Sequence, residues 1–304
     1  MYRVDDLFCG MGGTSLGFKQ AGFTIDHGVD NNQTALDTYT KYIEAPGKLL
    51  DISTYYPGRG DYDAIIIGGS PCQDFSISNK KRNIYSKRSQ LVLDFCRIVK
   101  AVQPEAFMFE NVIHLSKWAE AALKEIPGYK VTRNIVRASD YGVPQARQRK
   151  IFLGAKKQHV TLKPPRGEPR RTVRDAFKEV TDNWGYVKHR PETIEMFSKI
   201  HSKTWTKGEY ASEYQGIIRL DWNQPSGGIG NVKKFRILHP DEDRSITLAE
   251  ALSLQGFPQW YIPTGTDTAK AQQIADAVPP RLAYHCARAI ETAINGAVTL
   301  TSYS

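Results

Sequence analysis

Cysteine is scarce in this 304-residue chain: Cys9, Cys72, Cys96 and Cys286 are the only four, far apart and with no CxxC pair. That spacing argues against a zinc site or a disulfide framework and fits a reducing compartment, so no metal is expected. Long apolar runs are missing too. Nothing approaches the roughly 18 uninterrupted apolar residues of a membrane span, and no membrane partner is expected. Met1-Tyr2-Arg3-Val4-Asp5-Asp6 leads straight into a strand pattern, so no signal peptide is expected and cytoplasmic residence is the default. Acidic residues are in deficit, 32 against 41 Lys+Arg, and the net charge of +9 favours a polyanionic partner. The surplus is uneven. Arg147, Arg149, Lys150, Lys156, Lys157, Lys163, Arg166, Arg170, Arg171 and Arg174 face one acid, Glu168, and read as a phosphate-facing strip.

The length allows one large domain and a smaller one. Up to about residue 155, short apolar runs alternate with amphipathic stretches. Strands are predicted at Arg3–Phe8, Thr24–Val29, Lys48–Asp51, Ala64–Ile67, Ala106–Phe109, Val131–Val136 and Lys150–Ala155. Helices are predicted between them at Thr14–Ala21, Gln33–Tyr42, Gln90–Val102 and Ser116–Glu125. This alternation predicts an α/β fold with a doubly wound sheet, parallel at its centre. Pro164-Pro165-Arg166-Gly167 reads as a linker, and the periodicity then weakens as far as Asp243. Trp184, Trp205, Tyr210, Tyr214 and Trp222 fall in that stretch, which reads as a small domain of irregular or β character with most of these rings in its core. Helices return at Leu248–Leu254 and from Arg281 to Ile294.

In such a sheet, ligands bind at the carboxyl ends of the strands. Here those ends hold Phe8-Cys9-Gly10-Met11-Gly12-Gly13, Asp30, Asp51, Cys72 and Glu110. The glycine loop lets backbone approach a ligand closely, and the helix after it can hold an anionic group. It is not a dinucleotide fingerprint, because Ser15 stands where GxGxxG needs its third glycine. Asp30 is placed to accept from ribose hydroxyls, and Asp51 could bind an exocyclic amine of adenine. Together they describe a nucleoside-bearing ligand without a long phosphate tail. Gly69-Ser70-Pro71-Cys72-Gln73-Asp74 follows the apolar run Ala64–Ile67. Pro71 stiffens the loop that presents Cys72, whose thiol is either a nucleophile or a buried structural cysteine.

Six segments, in order, decide between those readings. They are Asp6-Leu7-Phe8-Cys9-Gly10-Met11-Gly12-Gly13, Gly69 to Ser76, Glu110-Asn111-Val112, and Gly142-Val143-Pro144-Gln145-Ala146-Arg147-Gln148-Arg149. Arg244 to Pro258 and Gln273 to Pro280 complete the set. The chain resembles the DNA (cytosine-5)-methyltransferases over most of its length. The resemblance implies a Rossmann-like fold dependent on S-adenosylmethionine, with S-adenosylhomocysteine as product and no metal. It implies a catalytic and cofactor-binding domain at 1–165, a target-recognition domain at 166–243, and a hinge with a returning C-terminal helix at 244–304.

The same resemblance assigns roles. Cys72 would add to cytosine C6 as nucleophile, Glu110 would act at N3 with burial raising its pKa, and Arg149 would lie on the O2 side; Arg147 joins them or serves as a salt-bridge partner. Asp6, Phe8, Gly10, Met11, Gly13, Asp30, Asn31, Asp51, Ile52, Pro71, Leu91 and Ala277 would bind the cofactor, although Leu91 could equally fill the core. Gln73 would fill the space left by a flipped base, with Ser76 and Arg88 at phosphates, unless Ser76 caps its own loop. Ala275-Asp276 departs from the family's usual Gly-Asn, adding a charge near the cofactor or hinge.

The expected partner is double-stranded DNA, with a monomeric, nucleoid-associated enzyme and a possible cognate restriction endonuclease. Two alternatives are C5 methylation of tRNA and a catalytically silent DNA-binding homologue. The Cys-Phe-Thr tripeptide of the RNA branch is missing here, and an intact Cys72, Glu110 and Arg149 oppose silence.

Overall fold

The computed structural model describes residues 2–57, 64–71, 87–167, 169–200, 217–234 and 236–296. Cys72, Gln73, Ser76, Trp205, Tyr210 and Tyr214 lie outside them, as does the side chain of Arg88. The chain forms two compact units. The first comprises Met1–Val136, Gln148–Pro164 and Leu282–Ser304; the second comprises Arg137–Arg147 and Pro165–Arg281.

The first unit is built on a seven-stranded sheet. In chain order its elements are β1 (Arg3–Leu7), α1 (Gly13–Gln20), β2 (Thr24–Asp30), α2 (Gln33–Ile43), β3 (Gly47–Leu49) and a 3-10 turn (Ile52–Thr54). Then come β4 (Ala64–Gly68), α3 (Lys87–Val102), β5 (Ala106–Val112), α4 (Lys117–Lys124), β6 (Lys130–Arg137) and β7 (Gln148–Ala155). The strand order is β3-β2-β1-β4-β5-β7-β6. Five neighbouring strands run parallel, and β7 enters antiparallel to β5.

Alternation along β1 shows how the layers form. Leu7 joins Val29, Ile66, Phe107, Phe109 and Phe152 in a core against Val92, Phe95 and Val99 of α3 and Ala119 and Leu123 of α4. Asp6 points the other way, to Ser15 of α1. The phenylalanines are fully buried, a contribution of about 1.5–3 kcal/mol each. Phe95 bridges Phe107 and Phe109 at centroid distances of 6.0 and 4.8 Å.

The second unit carries α5 (Val173–Phe177), α6 (Pro191–Ser198), β8 (Ile217–Arg219), β9 (Arg236–Leu238), α7 (Leu248–Leu254) and α8 (Asp267–Asp276). Its described part is largely irregular chain that carries these four short helices and one short parallel pair, β8 and β9. Helices α5 and α6 lie in the stretch read as irregular or β; a capping box starts α5 and Pro191 at its first position starts α6. Thr172 with Asp175 and Thr247 with Glu250 form reciprocal capping boxes. Arg244 clamps Glu250 through both nitrogens, at 2.9 and 2.8 Å. Trp222 packs edge-on against Phe177 and His239. The buried Arg219 guanidinium donates to the carbonyls of Phe197, Ile200, His239 and Glu242 and to Asp243. Helix α9 (Pro280–Asn295) follows, burying Leu282, Cys286, Ile290 and Ala293 at helical spacing. Gln158 caps its carbonyls at Thr292 and Ala293.

No helix among the described residues is long and apolar enough to cross a membrane.

Gly154 of β7 lies directly opposite Phe107 of β5, and a Cβ there would fall 2.2 Å from the ring. Gly154→Ala should therefore displace Phe107 and cost about 2 kcal/mol. Urea denaturation followed by circular dichroism measures it, and an unchanged midpoint would contradict this packing.

Candidate active site

The glycine loop after β1 has a left-handed course: φ is +60° at Phe8, +52° at Gly10 and +90° at Gly12. Phe8 is the unusual member, because a bulky side chain rarely adopts this region outside functional turns. Cys9 N–H bonds the Val29 carbonyl at 3.1 Å, and Gly12 N–H closes the turn on Cys9. Asp30, the last residue of β2, accepts from the Gly10 amide at 2.9 Å and from the Asn32 amide at 2.9 Å. Space above Gly10 is open, since an added Cβ would meet nothing within 4 Å. Helix α1 has no acid in its first turn and no side-chain cap from Gly12, so its N-terminus suits an anionic group. Gly13 and Met11 are buried beneath the loop.

Asp6 is buried and directed away from that surface. Its carboxylate accepts from Ser15 Oγ at 2.6 Å, and Ser15 meets the Tyr39 hydroxyl at 3.2 Å. Burial raises the Asp6 pKa to about 7; the Ser15 bond opposes the shift, and the Asp30 charge adds to it.

Asp51 stands two residues beyond β3 and caps the 3-10 turn through Ser53 N–H at 2.9 Å. Bonds from the Ser53 backbone and side chain lower its pKa, so this exposed carboxylate stays ionised. Ile52 is buried behind it, Asn31 is exposed, and Leu91 is half-buried on α3. At the end of β4, Asn111 donates to the carbonyl and hydroxyl of Ser70 at 3.1 and 3.2 Å. Those bonds fix the segment that leads through exposed Pro71 to Cys72.

Strand β5 continues to Val112, three residues further than its apolar run predicts, because β7 pairs with it over the whole length. Glu110 faces Ile151 and Val112 faces Arg149, so Glu110 and Arg149 are diagonal neighbours on one face. Arg149 Nε lies 2.7 Å from Glu110 Oε1, both side chains being largely buried. Gly69 fits against this pair: a Cβ would lie 3.0 Å from the Glu110 carbonyl and 3.1 Å from Oε2.

Arg147 is placed differently from Arg149. It belongs to the second unit, where its buried guanidinium donates to the carbonyls of Ile229 and Ala275 at 3.2 and 3.0 Å. Gln145 works beside it, bonding the Leu254 carbonyl, the Gln255 side chain and the Ile229 amide. Ala277 is also in the second unit, nearly buried, with its amide on Gln273. Asp276 ends α8 and accepts from Gln272 at 2.8 Å.

The basic run from Arg147 to Arg174 is not a uniform phosphate-facing strip, and this corrects the reading from charge alone. Arg147 bonds carbonyls, and Arg149, Lys150, Lys156, Arg170 and Arg171 pair with Glu110, Glu120, Glu105, Asp140 and Glu179. Arg174 lies over the Trp222 ring. Linear charge counting missed these partners because the acids are distant in sequence.

The described cysteines offer little reactivity. Cys9, Cys96 and Cys286 are buried, and burial pushes each thiol up, that of Cys96 to about 12. Asp5, Asp26 and His27 form a compact cluster at β1 and β2. His27 Nδ1 is 3.0 Å from a carboxylate oxygen of each acid, so its N–H is shared between two acceptors. Burial opposes protonation of the ring, but the Asp5 bond and charge outweigh it and raise the pKa.

Comparison with known proteins now bears on this geometry. Residues 2–292 match the family model described as C-5 cytosine-specific DNA methylase. The chain belongs to the C-5 cytosine-specific DNA methylase family. It is 33% identical to the type II methyltransferase M.HgiDI of Herpetosiphon aurantiacus, over 96% of this chain and 95% of that one. It is 30% identical to the type II methylase M.HgiDII of the same organism, over 96% of both chains. Among solved structures it resembles a protein described as a DNA modification methyltransferase encoded within an E. coli prophage, at 25% identity and a TM-score of 0.81. That match covers 97% of this chain and all of the other. As a DNA cytosine-5-methyltransferase, the chain combines the family's seven-stranded sheet with a Glu–Arg pair on β5 and β7.

The Asp6 carboxyl binds its proton more tightly folded, near pH 7, than unfolded, near 3.8. Its contribution to stability is therefore full below about pH 4 and is lost as pH rises through 7. Asp6→Asn should flatten the fall in stability of the methylase between about pH 4 and 7, read from urea midpoints across that range. Parallel curves for the two proteins would contradict the shift.

Proposed function

We propose that the enzyme transfers a methyl group from S-adenosylmethionine to C5 of a flipped-out cytosine in a specific duplex DNA sequence, through a covalent Cys72–C6 intermediate. The observation that carries this reading is the Glu110–Arg149 pair at 2.7 Å beside Gly69, with Asn111 bonding Ser70 two residues before Cys72.

The residues at the strand ends fit the cofactor. Open space over Gly10 and an α1 N-terminus without acids suit an amino acid, half-buried Asp30 a ribose and ionised Asp51 an adenine. Phe8, Gly10, Met11, Gly13, Asn31, Ile52, Pro71, Leu91 and Ala277 complete the assignment, with Asp6 holding α1 through Ser15. When bound, S-adenosylmethionine supplies an electrophilic methyl group.

The cytosine must leave the helix, at a cost of a few kcal/mol. The Cys72 thiolate forms the S–C6 bond, and the C5–C6 π pair moves onto C5, which takes the methyl group as its bond to the sulfonium breaks, leaving S-adenosylhomocysteine. Glu110 bonds N3 and Arg149 the O2 side, stabilising charge that builds on the ring. Loss of the C5 proton to a base then re-forms the double bond, expels the thiolate and releases 5-methylcytosine. Gln73 would fill the vacated stack, with Ser76 and Arg88 at phosphates. Arg147, counted with Glu110 and Arg149 from the sequence, instead bonds the Ile229 and Ala275 carbonyls within the second unit.

The second unit, chiefly residues 166–243, would read sequence in a groove. One site per chain suits a monomer, and the type II relatives suggest a restriction endonuclease acting on the same sequence.

Transfer of labelled methyl to mixed duplex DNA should be lost in Cys72→Ser and fall about 10²–10⁴-fold in Glu110→Gln. DNA carrying 5-fluorocytosine should trap the wild type covalently, because fluorine cannot leave C5 as a proton does. Cys72→Ser should form no adduct. Label on tRNA but not on DNA, or an adduct that survives in Cys72→Ser, would overturn the reading.

A further inference from the structure

The turn that carries Asp51 and Ile52 is fastened by a residue of a distant element. Arg97 of α3 donates from Nη2 to the Ile52 carbonyl at 2.9 Å and from Nη1 to the Tyr55 carbonyl at 2.8 Å. Asp94, one helical turn earlier, holds the same guanidinium at Nε and Nη2, at 3.3 and 3.2 Å. The Tyr56 ring covers it, with Arg97 Cζ 4.2 Å from the ring centroid. One planar fork thus bonds the first carbonyl of the turn and the carbonyl just after it. A lysine has no such fork and could satisfy the two only loosely. From the sheet side, the Tyr55 hydroxyl meets His27 Nε2 at 3.3 Å.

Helix α3 also carries Leu91, six residues before Arg97. It therefore bears one assigned wall of the cofactor pocket and, through Arg97, grips the loop that bears another. The fork is occupied by the two carbonyls and Asp94, so it acts on the turn's position rather than on a ligand.

We propose that Arg97 is a positioning residue that fixes the Asp51–Ile52 wall against α3, and thereby sets the affinity for S-adenosylmethionine without touching it. The inference rests on the assignment of this pocket to that cofactor.

The test compares wild type, Arg97→Met, Arg97→Lys and Cys96→Ala by calorimetric titration with S-adenosylmethionine, by methyl transfer to duplex DNA, and by thermal melting. Arg97→Met should raise Kd and KM for S-adenosylmethionine about tenfold, equivalent to about 1.4 kcal/mol. kcat at saturating cofactor and KM for DNA should stay at their wild-type values. Arg97→Lys should fall between wild type and Arg97→Met, and it carries the comparison if the methionine variant does not fold. Cys96→Ala removes a buried thiol of α3 from the core that also holds Ile52 but leaves the Arg97 fork and its two carbonyls intact, so it should lower Tm and leave KM for the cofactor unchanged. Wild-type affinity in both Arg97 variants would overturn the proposal. So would an equal rise in KM for Cys96→Ala at the same loss of Tm. A wild-type protein that binds no S-adenosylmethionine would instead strike the pocket assignment itself.

Discussion

Antiparallel pairing of β7 with β5 is the contact on which the rest of the site depends. It extends β5 to Val112 and sets Arg149 diagonally across from Glu110, with a 2.7 Å ion pair as the outcome. A register slip of one residue would send Arg149 to the other face of the sheet. Gly154 lets Phe107 lie flat at the far end of the same pairing, so packing there and polar geometry at Glu110 share one register. Lys150, next to Arg149, bonds Glu120 and the Leu115 carbonyl, and anchors the strand to the segment that follows Glu110-Asn111-Val112.

Long cationic and amide side chains act throughout as readers of backbone carbonyls. Arg97 serves Ile52 and Tyr55, Arg147 serves Ile229 and Ala275, and Arg219 serves four carbonyls of the second unit. Each replaces a regular ladder where the chain turns irregularly, because a buried carbonyl without a donor costs about 1–3 kcal/mol. The excess of basic residues is thus partly architectural. Net charge still describes the partner a protein attracts, but a local count of lysines and arginines does not describe its surface.

The sheet was legible because alternation of short β-branched runs with amphipathic stretches has one common solution, and all seven strands fall within a few residues of their patterns. Glu110 was located by its place after Phe109, whereas its strand continuation was not, since β5 there holds polar residues stabilised only by β7. Helices α5, α6 and α8 were missed because they are short and start from a Thr cap or, in α6, from Pro191 rather than with an apolar stripe. The Gln145 to Arg149 motif was visible as a motif, but the assignment of its residues to different units was not. Gln145 and Arg147 bond within one unit and Arg149 within the other, and spacing in sequence carries no sign of that division.

The sequence by itself determined the family and the order of strands and helices in the first unit, with the residue types at the strand ends. Those follow from local periodicity and from contiguous motifs, which need no knowledge of distant partners. Tertiary structure alone decided that Asp6 serves α1 through Ser15, that Arg147 bonds carbonyls while Arg149 faces Glu110, and that Arg97 grips the Asp51–Tyr55 turn. All but the first are bonds between residues far apart in the chain, and Asp6 meets Ser15 only because α1 packs back on β1. Their existence depends on the register and angle at which elements pack, which no local pattern encodes.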